Sequence, residues 1–151
     1  MFAGCYIILP VKRIKDMDTS GYLFVYGTLL SEGNEFAAFL MENSVLYGGG
    51  KFKGKLYDIG EYPGAIFQPS SEYDVHGQVF LMNEPGMILR RLDDYEGFGA
   101  DQPEPNEFIR TLIEIETDDK SVNCWAYLYQ LPTDGLWHIR SGNYLEYAKI
   151  S

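Results

Sequence analysis

The 151-residue chain is 46% hydrophobic and 15% aromatic and carries a formal net charge of −10. This composition excludes a disordered chain, and the acidity, which repels phosphate backbones, sets nucleic acid aside as a partner. The length suits one domain with a real core. Cys5 and Cys124 form no CxxC, and His76 and His138 stand apart from each other and from both thiols. The spacing therefore predicts neither a disulfide framework nor a metal site.

Residues 1–20 read as an extension, either an upstream-start artefact or a poorly ordered tail. Their apolar run, Cys5–Leu9, precedes the basic residues Lys12, Arg13 and Lys15. That order is the reverse of a secretory signal, and the run is too short to span a bilayer. The expectation is a single domain over residues 21–151, in soluble cytoplasm and without membrane contact.

The first predicted strand is Tyr22–Tyr26, where four residues of strand preference meet Gly27 and Thr28. A helix follows near Asn34–Glu42, with Phe36, Phe39 and Leu40 on one face. Gly48-Gly49-Gly50 reads as a break in the chain. Lys51–Ile59 alternates polar and apolar residues as a half-exposed strand does. Gly60–Gly64 reads as a turn, Ala65–Gln68 as a short strand and Val75–Met82 as another, whose inner Gly77 marks a bulge or a close backbone approach.

Pro85 opens a second helix with Ile88, Leu89, Leu92 and Tyr95 on its apolar face, and Gly97 fits the position just past its end. After a polar loop with two prolines, Glu107–Glu116 and Ser121–Leu131 form a hairpin about Thr117–Lys120. The order β-α-β-β-β-α-β-β predicts an α+β fold with a largely antiparallel, barrel-like sheet.

Three stretches bear on chemistry. Tyr26-Gly27-Thr28-Leu29 is either a plain turn or a concave row of backbone N–H groups for an anion, with Gly27 permitting close approach. Both readings are open on this stretch alone. Glu96 sits at the predicted end of the second helix, where the negative dipole end raises a carboxyl pKa and burial would add to it. A carboxyl tuned towards neutral suits general acid/base work; a solvated surface acid is the alternative. Asp93 and Asp94 read as caps or surface charges. In Trp125-Ala126-Tyr127-Leu128-Tyr129, Trp125, Tyr127 and Tyr129 share one face, with Cys124, Ala126 and Leu128 opposite. That face is either core or a cavity wall offering a Tyr hydroxyl. Cys124 itself reads as a core residue.

Seven short motifs in order, "FVYGTL", "GKLYDIGEYPGAI", "VHGQVF", "LDDYEG", "FIRTLIEI", "CWAYLY" and "SGNYLEY", resemble the γ-glutamylcyclotransferase-like family, including its AIG2-like and γ-glutamylamine cyclotransferase branches. The resemblance runs from about Leu23 to Tyr147. It implies a small mixed, largely antiparallel β-barrel flanked by helices, with no cofactor and no metal. It also implies that the backbone amides of Tyr26, Gly27, Thr28 and Leu29 hold the α-carboxylate of a γ-glutamyl substrate. By the same resemblance Glu96 is the catalytic acid/base and Tyr127 lines the cavity. The implied reaction is lyase-type release of 5-oxoproline and a free amine or amino acid. A binding module that keeps the cavity without catalysis is the alternative. Phe108 stands where the family often has Tyr, which bears on substrate identity. Neither the leaving amine nor the oligomeric state is encoded in a motif.

Overall fold

The computed structural model describes residues 20–30 and 34–150; the expectation for residues 1–19 lies outside that range. In chain order the elements are β1 (Tyr22–Val25), a 3-10 turn (Thr28–Leu30), α1 (Glu35–Asn43), β2 (Ser44–Asp58), β3 (Pro63–Phe67), β4 (Asp74–Met82), α2 (Pro85–Glu96), β5 (Phe108–Thr117), β6 (Ser121–Tyr129), β7 (Trp137–His138) and α3 (Tyr144–Ile150). The expected order holds through β6, and the short β7 and α3 follow it.

Five strands close into a barrel in the order β2-β4-β1-β6-β5, and β5 returns to β2 through Gly50 opposite Thr117 and Lys51 opposite Glu116. Only the β1–β6 contact is parallel, with Leu23 opposite Trp125; the other pairings are antiparallel. The sheet is mixed and largely antiparallel, as the sequence predicts. The hairpin turn also stands where expected, with the Thr117 N–H bonded to the Lys120 carbonyl at 3.0 Å.

The predicted break at Gly48–Gly50 is corrected. These glycines lie inside β2, which runs fifteen residues and pairs with β3, β4, β5 and β7. The register shifts between Leu46 and Gly48, and Gly48 has φ of +154°. A Cβ on Gly50 would lie 2.6 Å from Ile115 Cγ2. The glycines thus bend one strand around the barrel and let β5 close on it, where the sequence suggested an interruption. Gly77 is the close approach rather than a bulge. A Cβ there would overlap the Val25 carbonyl oxygen of β1, while the β4 register runs unbroken past it.

Strand alternation sorts the core into two clusters. Phe24, Leu56, Val79, Ile115, Cys124 and Ala126 belong to one, drawn mainly from strands. Leu23, Val25, Phe80 and Tyr127 point the other way and meet Leu40 of α1 and Ile88 and Leu92 of α2. Cys124 is fully buried, and burial pushes its thiol up to about 12, so it is a core side chain. Asn34 caps α1, its Oδ1 accepting from the Phe36 and Ala37 N–H groups at 2.8 and 3.1 Å. Tyr95 departs from the predicted buried face of α2. It is exposed at its edge and packs on Phe36, ring centroids 4.1 Å apart. Among the described residues, no helix is long and apolar enough to cross a membrane.

Candidate functional site

The site starts where β1 leaves the sheet. Tyr26 is buried, and its hydroxyl donates to the Tyr127 carbonyl at 2.6 Å while accepting the Ala65 N–H at 3.2 Å. Burial raises the phenol pKa far above its ordinary value, so the group is a neutral pin joining β1, β3 and β6. Both hydrogen-bonding roles of its hydroxyl are thus taken by backbone groups of β3 and β6. Gly27 then starts a tight turn, its carbonyl accepting the Leu30 N–H at 3.0 Å. The first N–H groups of such a turn have no acceptor within it. A Cβ on Gly27 would stand 2.9 Å from Pro63 Cγ. The glycine is therefore demanded by a close neighbour.

α2 ends beside this turn. Gly97 takes the left-handed conformation, φ +73°, and the Phe98 N–H bonds back to the Asp93 carbonyl at 2.9 Å. The stop leaves Glu96 as the last helical residue, facing a cavity of about 280 Å³ walled by Tyr26–Leu29, Tyr62, Glu107, Phe108 and Tyr127. All six residues singled out from the sequence, Tyr26, Gly27, Thr28, Leu29, Glu96 and Tyr127, therefore border one cavity.

The Glu96 carboxyl is pushed up to about 7, first by burial and second by the Glu107 carboxylate. Burial, the second of the two causes the sequence suggested, leads, and the Glu107 carboxylate follows it. Among the described residues, Glu96 has no hydrogen-bond or ion-pair partner, and no Lys, Arg or His lines the cavity.

Four residues whose place at the site sequence reasoning missed, Tyr62, Asn106, Glu107 and Arg110, shape it. Glu107, just before β5, is gripped by the Tyr62 hydroxyl, which lies 2.8 and 2.7 Å from its two carboxylate oxygens. Burial and that carboxylate push the Tyr62 phenol up to about 12. The loop from α2 to β5 is held by Asn106, which is buried, bonds Gly99 in both directions and donates to the Pro103 carbonyl at 3.0 Å. This staple brings Glu107 back to the helix end. Arg110 donates to Asp93 through Nε at 2.8 Å and Nη2 at 3.2 Å. Asp93 is thus corrected from a cap or surface charge to half of a partly buried ion pair; Asp94 is exposed.

Tyr127 lines the cavity, while its hydroxyl is bonded to Asp93 Oδ1 at 2.7 Å and lies 3.3 Å from the Leu89 carbonyl. Phe108 is buried between the rings of Tyr62 and Tyr129, at 5.9 and 5.6 Å. Tyr62, Asp93, Phe108, Arg110, Tyr127 and Tyr129 lie in motifs the sequence marked out, whereas Asn106 and Glu107 lie outside them. Among the described residues, no group of three or more His, Cys, Asp or Glu side chains is placed to hold a metal ion.

A small mixed, largely antiparallel barrel flanked by helices, as here, is the AIG2-like fold. The crystal structure of an AIG2-like protein from Mus musculus matches it with a TM-score of 0.57 at 24% identity, over 74% of this chain and 80% of that one. The chain belongs to the gamma-glutamyl cyclotransferase, AIG2-like family, whose model matches residues 23–146. It is 33% identical over 129 residues to the gamma-glutamylcyclotransferase family protein YtfP of Escherichia coli strain K12, covering 84% of this chain and 98% of that protein. The solution structure of the Escherichia coli ytfP protein matches it with a TM-score of 0.60 at 32% identity, again over 84% and 98% of the two chains.

Proposed function

We propose that this protein converts a γ-glutamyl amide to 5-oxoproline and a free amine, with Glu96 as the general acid/base. The observation that carries the reading is one cavity bounded on one side by the Tyr26–Leu29 turn and on the other by Glu96, whose carboxyl titrates near 7. The family and the 33% identical relative, itself named a γ-glutamylcyclotransferase family protein, support the substrate class.

The turn's N–H groups take the α-carboxylate, since no cationic side chain lines the cavity to do so. The substrate α-nitrogen enters as an ammonium with three hydrogens. Glu96, ionised in part near neutral pH, removes one. The freed lone pair attacks the γ-carbonyl carbon, forming the ring C–N bond and a tetrahedral oxyanion. As that oxyanion collapses, the bond to the leaving nitrogen breaks. Two of the three ammonium hydrogens pass through Glu96 to the leaving nitrogen, which departs as R–NH3+, and one remains as the lactam N–H. A carboxyl with a pKa near 7 can accept and return each proton at comparable rates. Because nucleophile and electrophile belong to one molecule, binding it folded supplies much of the rate. Tyr127 contributes to the wall.

The test is 5-oxoproline release from a panel of γ-glutamyl amides. Turnover by the wild-type protein and its loss in Glu96→Gln is the expected result. A Glu96→Gln variant with wild-type turnover removes Glu96 from the mechanism. A binding-only module has no use for an unpartnered carboxyl in a desolvated wall, so catalysis is the reading favoured here.

A further inference from the structure

Two carboxyl groups of this cavity come from separate elements. Glu96 ends α2 and Glu107 precedes β5. They are close enough that Glu107 is the second cause of the upward push on Glu96. Among the described residues, no cationic side chain lining the cavity neutralises them. Arg110, on the neighbouring strand, is bound to Asp93 by two hydrogen bonds, and no other cation of the described residues reaches the cavity lining. The remaining titratable groups of the lining are phenols: Tyr95 of α2, and Tyr26 just after β1, Tyr62 before β3 and Tyr127 on β6, the last three pushed upward and therefore neutral.

Glu107 is nevertheless held in place. The Tyr62 hydroxyl reaches both of its oxygens, and the Asn106 staple fixes the residue before it. A second acid set beside the desolvated Glu96 without a counter-cation is costly. An arrangement that braces the second acid against its repulsion from the first needs a cationic occupant to offset that cost.

We infer that Glu107, braced by Tyr62, is a substrate-binding residue that takes the α-ammonium of the γ-glutamyl substrate and presents it to Glu96. This rests on the cyclotransferase reading for the substrate and adds a residue to it. The ammonium lies between two carboxylates, so one of its hydrogens points at Glu96 while another is held by Glu107. Glu107 transfers no proton; it fixes the nitrogen's position.

Two probes that differ only in the α-ammonium isolate this contact: γ-L-glutamylethylamide and glutaric acid monoethylamide. Binding of each is measured by calorimetry in the Glu96→Gln background, so that the first is not consumed. With Glu107 intact, the amine-bearing probe should bind at least tenfold more tightly. Adding Glu107→Gln should remove that preference while leaving the affinity for the monoethylamide within threefold. Tyr62→Phe, which keeps the carboxylate and removes its brace, should reduce the preference in part.

A preference that survives Glu107→Gln overturns the inference, as does an equal loss for both probes or binding of neither. The cyclotransferase reading fails separately, if the wild-type protein releases no 5-oxoproline although the ammonium preference and its dependence on Glu107 are found.

Discussion

Asp93 Oδ1 accepts two hydrogen bonds at once, from the Tyr127 hydroxyl at 2.7 Å and from Arg110 Nε at 2.8 Å. The hydroxyl of this cavity-lining residue is therefore committed elsewhere. Tyr127→Phe should lower kcat/KM less than tenfold and cost about 1 kcal/mol of stability, the value of one hydrogen bond. A loss above a hundredfold with the fold intact would show that the hydroxyl meets the substrate. Steady-state kinetics and urea denaturation of the variant distinguish the two.

Asp93 itself binds α2 to the hairpin. Arg110 packs its guanidinium over the rings of Trp125 and Phe98, at 4.8 and 5.9 Å, with about a fifth of its side chain exposed. Asp93→Ala leaves that cation unpaired in a partly buried place. The expected loss is about 2–3 kcal/mol, below the full value for a buried pair because water still reaches it. Arg110→Met in the same background should recover part of the loss, measured by urea midpoints.

Glu96 links stability to pH. Its carboxyl titrates near 7 when folded, against 4.5 ordinarily. The folded protein thus binds the proton more tightly than the unfolded chain between those values. The stabilisation of the neutral form is whole below pH 4.5 and is lost as pH rises through 7, amounting to roughly 3 kcal/mol. Glu96→Gln should be the more stable protein at pH 8 and differ little at pH 4. Thermal unfolding across that window checks the sign, and equal curves would show that the carboxyl is not desolvated.

Gly27 carries two explanations that one substitution cannot separate. Gly27→Val should abolish activity whether the N–H row fails or Pro63, 2.9 Å from the added Cβ, is displaced. Thr28→Ser should be mild, because the proposed contact is through backbone. The informative variant is Gly27→Ala with Pro63→Ala, which relieves the clash. Recovered activity assigns Gly27 to packing, and persistent loss in a folded protein assigns it to the ligand.

Gly77 is a purely structural position. A Cβ there would overlap the Val25 carbonyl oxygen, just before the Tyr26 turn. Gly77→Ala should destabilise by about 2–3 kcal/mol or more through the displaced β1–β4 ladder. Because β1 carries the turn, activity should fall with it. Denaturation and 5-oxoproline release are measured on the same preparation.

Local patterns were enough to predict the elements that have strong periodicity or hard stops. Alternation in β5 and β6, the apolar face of α2, Pro85 at its start and Gly97 at its end depend on neighbours within a turn or two. The same alternation sends Tyr127 and Trp125 to one cluster and Cys124 and Ala126 to the other. The glycine run in β2 was misleading for a physical reason. Glycine breaks a strand in isolation but allows a bent one to pass close to Ile115 and Val79, and only the closed barrel creates those neighbours.

The sequence by itself determined the Tyr-Gly-Thr-Leu turn, the helix-terminal Glu96 and, through their motifs, the family. Tertiary structure alone decided what surrounds them. Tyr62 meets Glu107 across 45 residues, and Asp93 gathers Arg110 and Tyr127 from two strands. A carboxyl's proton affinity depends on the water removed and the charges brought near it. Both are set by residues distant in the chain, so Glu96 could be located by its sequence but tuned only by the fold.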